Sequence, residues 1–197
     1  MSAGAAPRPE DAARHLAEAL RALGIEPEGT NLAGTPMRVA ELWRDLFSGL
    51  DPGAAEELVP FPNPDPGQGL VVATGLPFYA MCAHHLLPFF GRAHVGFVPA
   101  DKLIGFGAIA RVVDLAARKP TLQEDLAKDV ADALERALAP RGLAVLLEGR
   151  HLCMEMRGAR RRARMETTIW RGVFEGEEAR RAEFLARIAT RARRGTR

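Results

Sequence analysis

The chain has few cysteines, few aromatic residues and no long apolar segment, and each shortage excludes certain classes of protein. Two cysteines in 197 residues cannot form a disulfide framework, so in a reducing compartment they are inert, catalytic or metal-bound. The longest apolar runs are too short to span a bilayer, and the stretch MSAGAAPRPEDAARH contains no apolar signal core. We therefore expect a cytoplasmic protein without a membrane partner.

Lysine is also scarce, because three of the 27 cationic residues are lysines and the other 24 are arginines. Many of these arginines lie in RGARRRARM and ATRARRGTR. Arginine suits bidentate contacts with phosphate or carboxylate, but a GC-rich genome would produce the same excess, and both explanations stay open. The net charge is only +2, aromatic residues make up 6% and no paired zinc-finger spacing occurs, so we expect no nucleic-acid partner.

The hydrophobic pattern predicts an α+β protein. Helices are expected over 9–24 and 34–49, with Thr35 as the N-cap of the second. Strand-like runs over 69–81, 91–100, 143–158 and 165–174 surround two helical patterns, 107–119 and 121–142. A closing helix would bury Phe184, Leu185 and Ile188. We divide the chain into an N-terminal helical region (1–50), a Pro- and Gly-rich loop (51–69) and one structural unit (70–197).

The two cysteines both lie close to histidines. Cys82 and His85 are separated by two residues in MCAHHLLPF, and Cys153 follows His151 by two in RHLCMEMR. Thiolates and imidazoles are the ligands that zinc prefers, and three of them with one open position would form a catalytic site. The alternative is that the cysteines are buried structural residues and the histidines are hydrogen-bonded.

If the second segment is a strand, side-chain alternation gathers its polar residues on one face. That face would carry Val145, Leu147, His151, Cys153, Glu155 and Arg157. The opposite face would be the core face, with Leu146, Leu152, Met154 and Met156. Alternation therefore predicts that His151 and Cys153 point the same way.

Several rare motifs in one order resemble the GTP cyclohydrolase I family: TPMR, MCAHHLLPFFGRAHVGFVP, ARVV, LQEDL and HLCMEMRG. The resemblance extends from NLAGTPMRVAELWRDLFSG to GVFEGEEARRAEFLARI. It implies the tunnelling fold, in which antiparallel strand pairs carry two packed helices after an N-terminal helical extension. It also implies a homo-oligomer, a decamer with active sites between subunits. The implied reaction is zinc-dependent opening of the imidazole ring of GTP, which releases formate and gives 7,8-dihydroneopterin triphosphate.

The resemblance assigns roles residue by residue. It implies a Zn²⁺ site formed by Cys82, His85 and Cys153. His84 and His151 match the acid–base pair, with packing beside the metal and orientation of a ligand as their alternatives. The predicted substrate-binding residues are Glu124 and Gln123 for guanine, Arg111 and Arg157 for the triphosphate, and Arg38 reaching a neighbouring subunit. From the residues alone, Glu124 could instead close a capping box with Thr121.

The chain departs from the family pattern at several positions. Ala83 replaces an acidic residue, and Gly107 and Ala108 stand where the family has a serine and a phosphate-binding lysine. Replacement charge could come from Arg160, Arg161, Arg162 and Arg164, which could equally form a solvated loop. Three alternatives to the family reaction follow: a different guanine nucleotide as substrate, a reaction that stops after ring opening, or a non-catalytic nucleotide-binding paralogue.

Overall fold

The computed structural model describes residues 8–29, 31–51, 58–67 and 69–194. Its helices are α1 (Pro9–Ala22), α2 (Thr35–Leu46), α3 (Phe106–Ala117), α4 (Gln123–Leu138), α5 (Leu152–Glu155), α6 (Val173–Gly176) and α7 (Glu178–Arg194), with a 3₁₀ turn at Ser48–Leu50. Its strands are β1 (Phe61–Pro62), β2 (Val71–Cys82), β3 (Pro88–Val98), β4 (Lys102–Leu103), β5 (Pro120–Thr121), β6 (Gly142–His151) and β7 (Met165–Gly172). No helix of these residues is both long enough and apolar enough to cross a bilayer.

The two N-terminal helices form where the sequence predicts them and pack on each other. Gly24, just beyond α1, adopts a left-handed backbone with φ 75°, which suits a glycine at a helix end. The N-cap of α2 is Gly34 rather than the predicted Thr35, so Thr35 is the first helical residue and Pro36 the second. Glycine takes the cap because the chain turns there at φ 76°, a conformation that a side chain would strain.

One five-stranded sheet, in the order β5-β2-β3-β6-β7, forms the centre of the molecule. All pairings are antiparallel except the short parallel contact of β5 with the end of β2. The predicted α+β class, with antiparallel strand pairs and two helices on the sheet, is confirmed. In the predicted 51–69 loop, Phe61 and Pro62 pair with Leu103 and Lys102, while residues 52–57 and 68 lie outside the described residues.

Both faces of the sheet are covered, by different helices. The main core lies between the sheet and the α3–α4 pair, and Val145 and Leu147 of β6 are buried in it. Leu146 points to the other face, where it packs in a smaller cluster with Phe174 and Phe184. The face that carries Val145 and Leu147 is therefore a core face, so assigning the core to the Leu146 face alone was wrong.

The predicted strand over 143–158 ends early, at His151. Its neighbour β3 starts at Pro88, and Phe89 pairs with His151, so no partner strand continues beyond this point. The chain turns into the single helical turn α5 instead. Met154 and Met156 are consequently exposed, and their predicted burial was wrong. The predicted burial of Leu185 on α7 was also wrong, whereas Phe184 and Ile188 do face the core.

Candidate metal and substrate site

The three predicted metal ligands meet at the end of the sheet. One ligand atom from each of Cys82, His85 and Cys153 lies within 4.8 Å of the other two. Cys82 is the last residue of β2 and is buried, His85 is exposed in the following turn, and Cys153 is half-buried in α5. The cluster therefore has a buried side formed by the sheet and an open side toward solvent.

The turn after β2 brings His85 back to Cys82. The carbonyl of Cys82 accepts hydrogen bonds from the amides of His85 (3.4 Å) and Leu86 (2.8 Å). The Cys82 amide in turn donates to the Leu87 carbonyl at 2.9 Å. Leu86 has a left-handed backbone with φ 49°, which is uncommon for a leucine and closes the turn. The local backbone thus brings the first cysteine and the second histidine of the motif together.

The chemistry of this donor set fits a zinc ion. Both cysteines are free, and burial together with a hydrogen bond between the Cys153 thiol and the neighbouring Cys82 raises the pKa of Cys153. A bound cation would displace the protons of both thiols, because a coordinated thiol is deprotonated. Two sulfurs and one imidazole, with the fourth side open, match the ligand number of catalytic zinc.

His151 lies beside the cluster and is fixed by Gln123. The Nε2 atom of His151 is 2.9 Å from Oε1 of Gln123, whose side chain is only 1% exposed. The Gln123 amide nitrogen donates to the carbonyls of Leu147 (3.2 Å) and Met165 (3.0 Å) and to Oγ1 of Thr167 (3.1 Å). These acceptors identify the nitrogen, so the oxygen must face His151. Because that oxygen only accepts, the proton of neutral His151 is on Nε2 and its Nδ1 is free to accept.

Two further residues shape the surroundings of His151, and sequence reasoning missed both. The ring of Phe89 stacks on the imidazole with centroids 4.7 Å apart and planes 5° apart. A side chain at Gly149 would place its Cβ 2.2 Å from Oε1 of Gln123, so only glycine leaves room for the amide. Burial lowers the pKa of His151, and the negative charge of Glu124 opposes that shift. Gly149 gave no sequence signal because its neighbour Gln123 is distant in the chain.

Glu124 lies in the first turn of α4, exposed, and near enough to His151 to act on its pKa. The capping-box alternative is not observed, because the N-cap is Leu122 and no side chain caps the helix there. The hydroxyl of Thr121 is instead buried and donates to the Leu122 carbonyl at 3.2 Å. The Glu124 carboxylate is therefore not used to cap α4.

The remaining predicted site residues are distributed around the cluster and beyond it. His84 is exposed beside His85, with ring centroids 6.2 Å apart at 86°. Arg157 follows α5, and its positive charge lowers the pKa of Cys153 against the larger effect of burial. Glu155, predicted to share the ligand face, forms an ion pair with Arg150 at 2.6 Å.

Two of the predicted arginines lie elsewhere in the chain. Arg111 is on α3 and lines a cavity of about 570 Å³ between α3 and α4, and none of the residues lining this cavity is a predicted metal ligand. Arg38 is on α2, where it donates to the Ala33 carbonyl (3.2 Å) and to Oγ1 of Thr35 (2.8 Å). One chain thus brings together the metal ligands, His151, Gln123 and Glu124, whereas Arg111 lines a separate cavity and Arg38 contacts the start of its own helix.

An antiparallel sheet backed by two helices, with a Cys–His–Cys cluster and a histidine at its end, defines an α+β protein with a site able to hold a metal ion. The model of the family GTP cyclohydrolase I matches residues 12–189. The chain belongs to the GTP cyclohydrolase I family and is an enzyme of that type. This match confirms the resemblance drawn from the motifs. Members of this family act on a nucleotide substrate.

Relatives named GTP cyclohydrolase 1 match over most of their length. The protein from Deinococcus radiodurans is 41% identical over 87% of this chain and 80% of its own. The protein from Streptococcus agalactiae is 38% identical over 92% and 98%, and that from Halalkalibacterium halodurans 42% over 86% and 90%. A solved structure, archaeosine synthase QueF-Like in the apo form, is 16% identical, with a TM-score of 0.46 over 53% of this chain and 95% of that one. The family assignment rests on the sequence matches.

Proposed function

We propose that this enzyme opens the imidazole ring of GTP in a zinc-dependent hydrolysis, releases formate and forms 7,8-dihydroneopterin triphosphate. The observation that carries the proposal is the meeting of Cys82, His85 and Cys153 within 4.8 Å beside a half-buried, oriented His151. Family membership supports GTP as the substrate. Both kinds of group that the ring opening needs are thus present: a metal site and acid–base residues.

Cys82, His85 and Cys153 would hold the zinc ion, with the open side of the cluster toward the substrate. When bound, zinc supplies a Lewis acid that lowers the pKa of water to near neutrality. The sheet gives this site a rigid base, because Cys82 is the last residue of β2 and Cys153 lies in α5, two residues beyond the end of β6. The exposed His85 is the ligand nearest to solvent.

His151 and His84 are the proposed acid–base pair. Opening the ring breaks carbon–nitrogen bonds, and the nitrogens that leave must be protonated. Gln123 keeps the Nε2 proton of His151 directed at its own oxygen, so Nδ1 is the atom that exchanges protons with substrate. We therefore assign Gln123 as a positioning residue rather than a direct contact to guanine. His84 is exposed beside the ligands and can reach a bound nucleotide from the solvent side.

Glu124 is the proposed recognition residue for guanine. A carboxylate accepts two N–H donors from the guanine edge, which adenine does not offer in that pattern. Its exposure at the start of α4 and its electrostatic contact with His151 support this role. Arg157 and Arg111 are proposed to bind the triphosphate, and Arg38 to reach the site of a neighbouring subunit.

A homodecamer in the cytoplasm is the proposed state of the enzyme. In the described residues β7 pairs only with β6, and β2 is bordered on its outer side only at Met81 and Cys82. Unpaired sheet edges of this length favour pairing with further copies of the chain. Assembly would also account for Arg38, whose contacts in one chain are made within its own helix start.

A second candidate function is favoured by the first turn of α3. Gly107 and Ala108 lie there and offer no charged or hydroxyl group to a phosphate. An enzyme with this change could prefer another guanine nucleotide, stop after ring opening, or bind nucleotide without turnover. Loss of one charge-assisted hydrogen bond costs affinity of about 1–3 kcal/mol and does not by itself remove the chemistry.

The test is to follow formate release and the near-ultraviolet absorbance of the pterin together on zinc-loaded protein with GTP. We expect both signals to rise in step. Formate without pterin would show a reaction that stops after ring opening. If neither signal rises with GTP but both rise with another guanine nucleotide, that nucleotide is the substrate. Neither signal with any guanine nucleotide would contradict the enzymatic proposal.

A further inference from the structure

Residues 157–164, which we call the arginine loop, contain five arginines and no acidic residue. The loop starts directly after α5, which carries Cys153, and returns to the sheet where Met165 pairs with Gly149. Because Gly149 is two residues before His151, both ends of the connection adjoin the metal and acid–base groups. The chain thus holds its densest positive charge at the rim of the candidate site.

Most of this charge is not neutralised within the chain. Glu155 of α5 is already paired with Arg150, at 3.0 and 2.6 Å. Arg164 approaches Glu148 only to 3.9 Å. Among the described residues, the side chains of Arg160 and Arg161 make no ion pair or hydrogen bond, and both are exposed. Exposed guanidinium groups without carboxylate partners are free to bind an anion.

The backbone of the loop is a compact turn. Gly158 and Arg160 both have left-handed backbones, with φ 62° and 47°. The amide of Arg160 donates to the carbonyl of Arg157 at 3.3 Å. Arg162 lies close enough to Glu155 of α5 for its charge to lower the pKa of that carboxyl. The turn therefore holds positive charge beside α5, the helical turn that carries Cys153. An arginine in this backbone region is uncommon, since a residue with a Cβ is strained there.

We propose that Arg160, Arg161 and Arg162 bind the polyphosphate tail of the substrate nucleotide. This inference rests on the proposed function, since it takes the base to lie at the metal cluster. The three guanidinium groups would supply the charge that Gly107 and Ala108 do not. A small polyanion fits this patch better than a nucleic-acid strand, because the loop is eight residues long and contains no aromatic ring on which bases could stack.

The test compares two triple variants of the zinc-loaded full chain. One is Arg160→Gln, Arg161→Gln, Arg162→Gln. The control is Arg14→Gln, Arg21→Gln, Arg44→Gln, which removes the same charge from exposed arginines of α1 and α2. Calorimetry with inorganic triphosphate should show affinity about 10- to 100-fold weaker in the loop variant and less than about threefold weaker in the control. Equal affinities of the two variants for triphosphate would overturn the proposal. A parent protein and variants that all fail to bind triphosphate would also overturn it.

Kinetics with GTP separate this inference from the proposed function. We expect the KM for GTP to rise about 10- to 100-fold in the loop variant while kcat stays within about threefold, since the loop holds the tail and not the ring. A parent chain that binds triphosphate through the loop but forms no product from GTP would contradict the proposed function and leave the loop as an anion site. Binding of a single-stranded RNA more tightly than triphosphate, lost in the same variant, would overturn the loop proposal.

Discussion

The end of the sheet that carries Cys82, His85, Cys153 and His151, which we call the metal end, adjoins the arginine loop. The side chains of these two regions are nevertheless held in very different ways. At the metal end, Gln123 is almost fully buried, and its amide contacts three acceptors as well as His151. In the arginine loop, exposed side chains have few partners in the chain. The first region is fixed by strand register and packing, and the second by a turn.

This difference separates two kinds of function. Groups that must hold a metal or exchange a proton need positions accurate to a fraction of an ångström, and strands provide them. Groups that attract a flexible polyphosphate act through charge, which several arrangements can supply. Substitutions in the two regions should therefore have effects of different size and kind.

The largest effect is expected from the adjacent histidines of the motif, which form a matched pair. His85→Ala removes a proposed ligand, and we expect zinc affinity to fall roughly 10³-fold, with formate release lost along with the metal. His84→Ala leaves all three ligands and should keep about one zinc per chain. Metal content after dialysis against a buffered zinc solution distinguishes the two variants. Equal zinc loading in both would contradict the ligand assignment.

The next effect tests the chemistry with the metal in place. His151→Ala should lower kcat for formate release by about 10²- to 10⁴-fold while zinc stays bound, because a proton-transfer group is lost and no ligand is. His15→Ala, an exposed histidine on α1, serves as the control. Steady-state rates and metal content are measured on the same samples. Retained ring opening in His151→Ala would show that another group moves the proton.

The sequence predicted which residues gather at the end of the sheet better than it predicted how they meet. Cys82 and Cys153 stand out because cysteine is rare in the chain. Alternation predicted Cys153 on the His151 face of a continuing strand, but β6 ends at His151 and a helical turn carries the cysteine. The cause is the start of β3 at Pro88, a pairing limit that the local pattern of residues 143–158 does not contain.

The role of Gln123 shows the same limit more strongly. Its partners Leu147 and Met165 are 24 and 42 residues away, so their meeting depends on how α4 packs on β6 and β7. A single sequence shows that glutamine is present and not that its amide will be buried. The helices α1 to α4 and the strands β2, β3 and β7, by contrast, follow from local periodicity and were predicted within a few residues.

A third prediction disturbs the ordered region around Gln123 with a substitution that changes no titratable group. Gly149→Ala should displace the Gln123 amide, since a Cβ would lie 2.2 Å from its oxygen. We expect kcat to fall about tenfold with the KM for GTP little changed, because His151 loses its orientation and the phosphate contacts remain. Gly176→Ala is the control, since its Cβ would meet no atom within 4 Å. A raised KM with unchanged kcat would contradict the positioning role.

The smallest effect concerns stability, in an ion network that joins α4 to β7. Hydrogen bonds from Lys128 and Arg171 hold the pKa of Asp132 below its usual value. A carboxylate with a lowered folded-state pKa stabilises the protein above its unfolded pKa, and that stability is lost as the pH falls through the folded pKa.

Asp132→Asn should therefore lower the free energy of unfolding by about 1 kcal/mol at pH 7. The difference from the parent should vanish in strong acid. Urea unfolding across this pH range measures the effect, with Asp45→Asn as an exposed control. An equal loss at acidic and neutral pH would contradict an ionic origin, since only the ionised carboxylate can pair with Arg171.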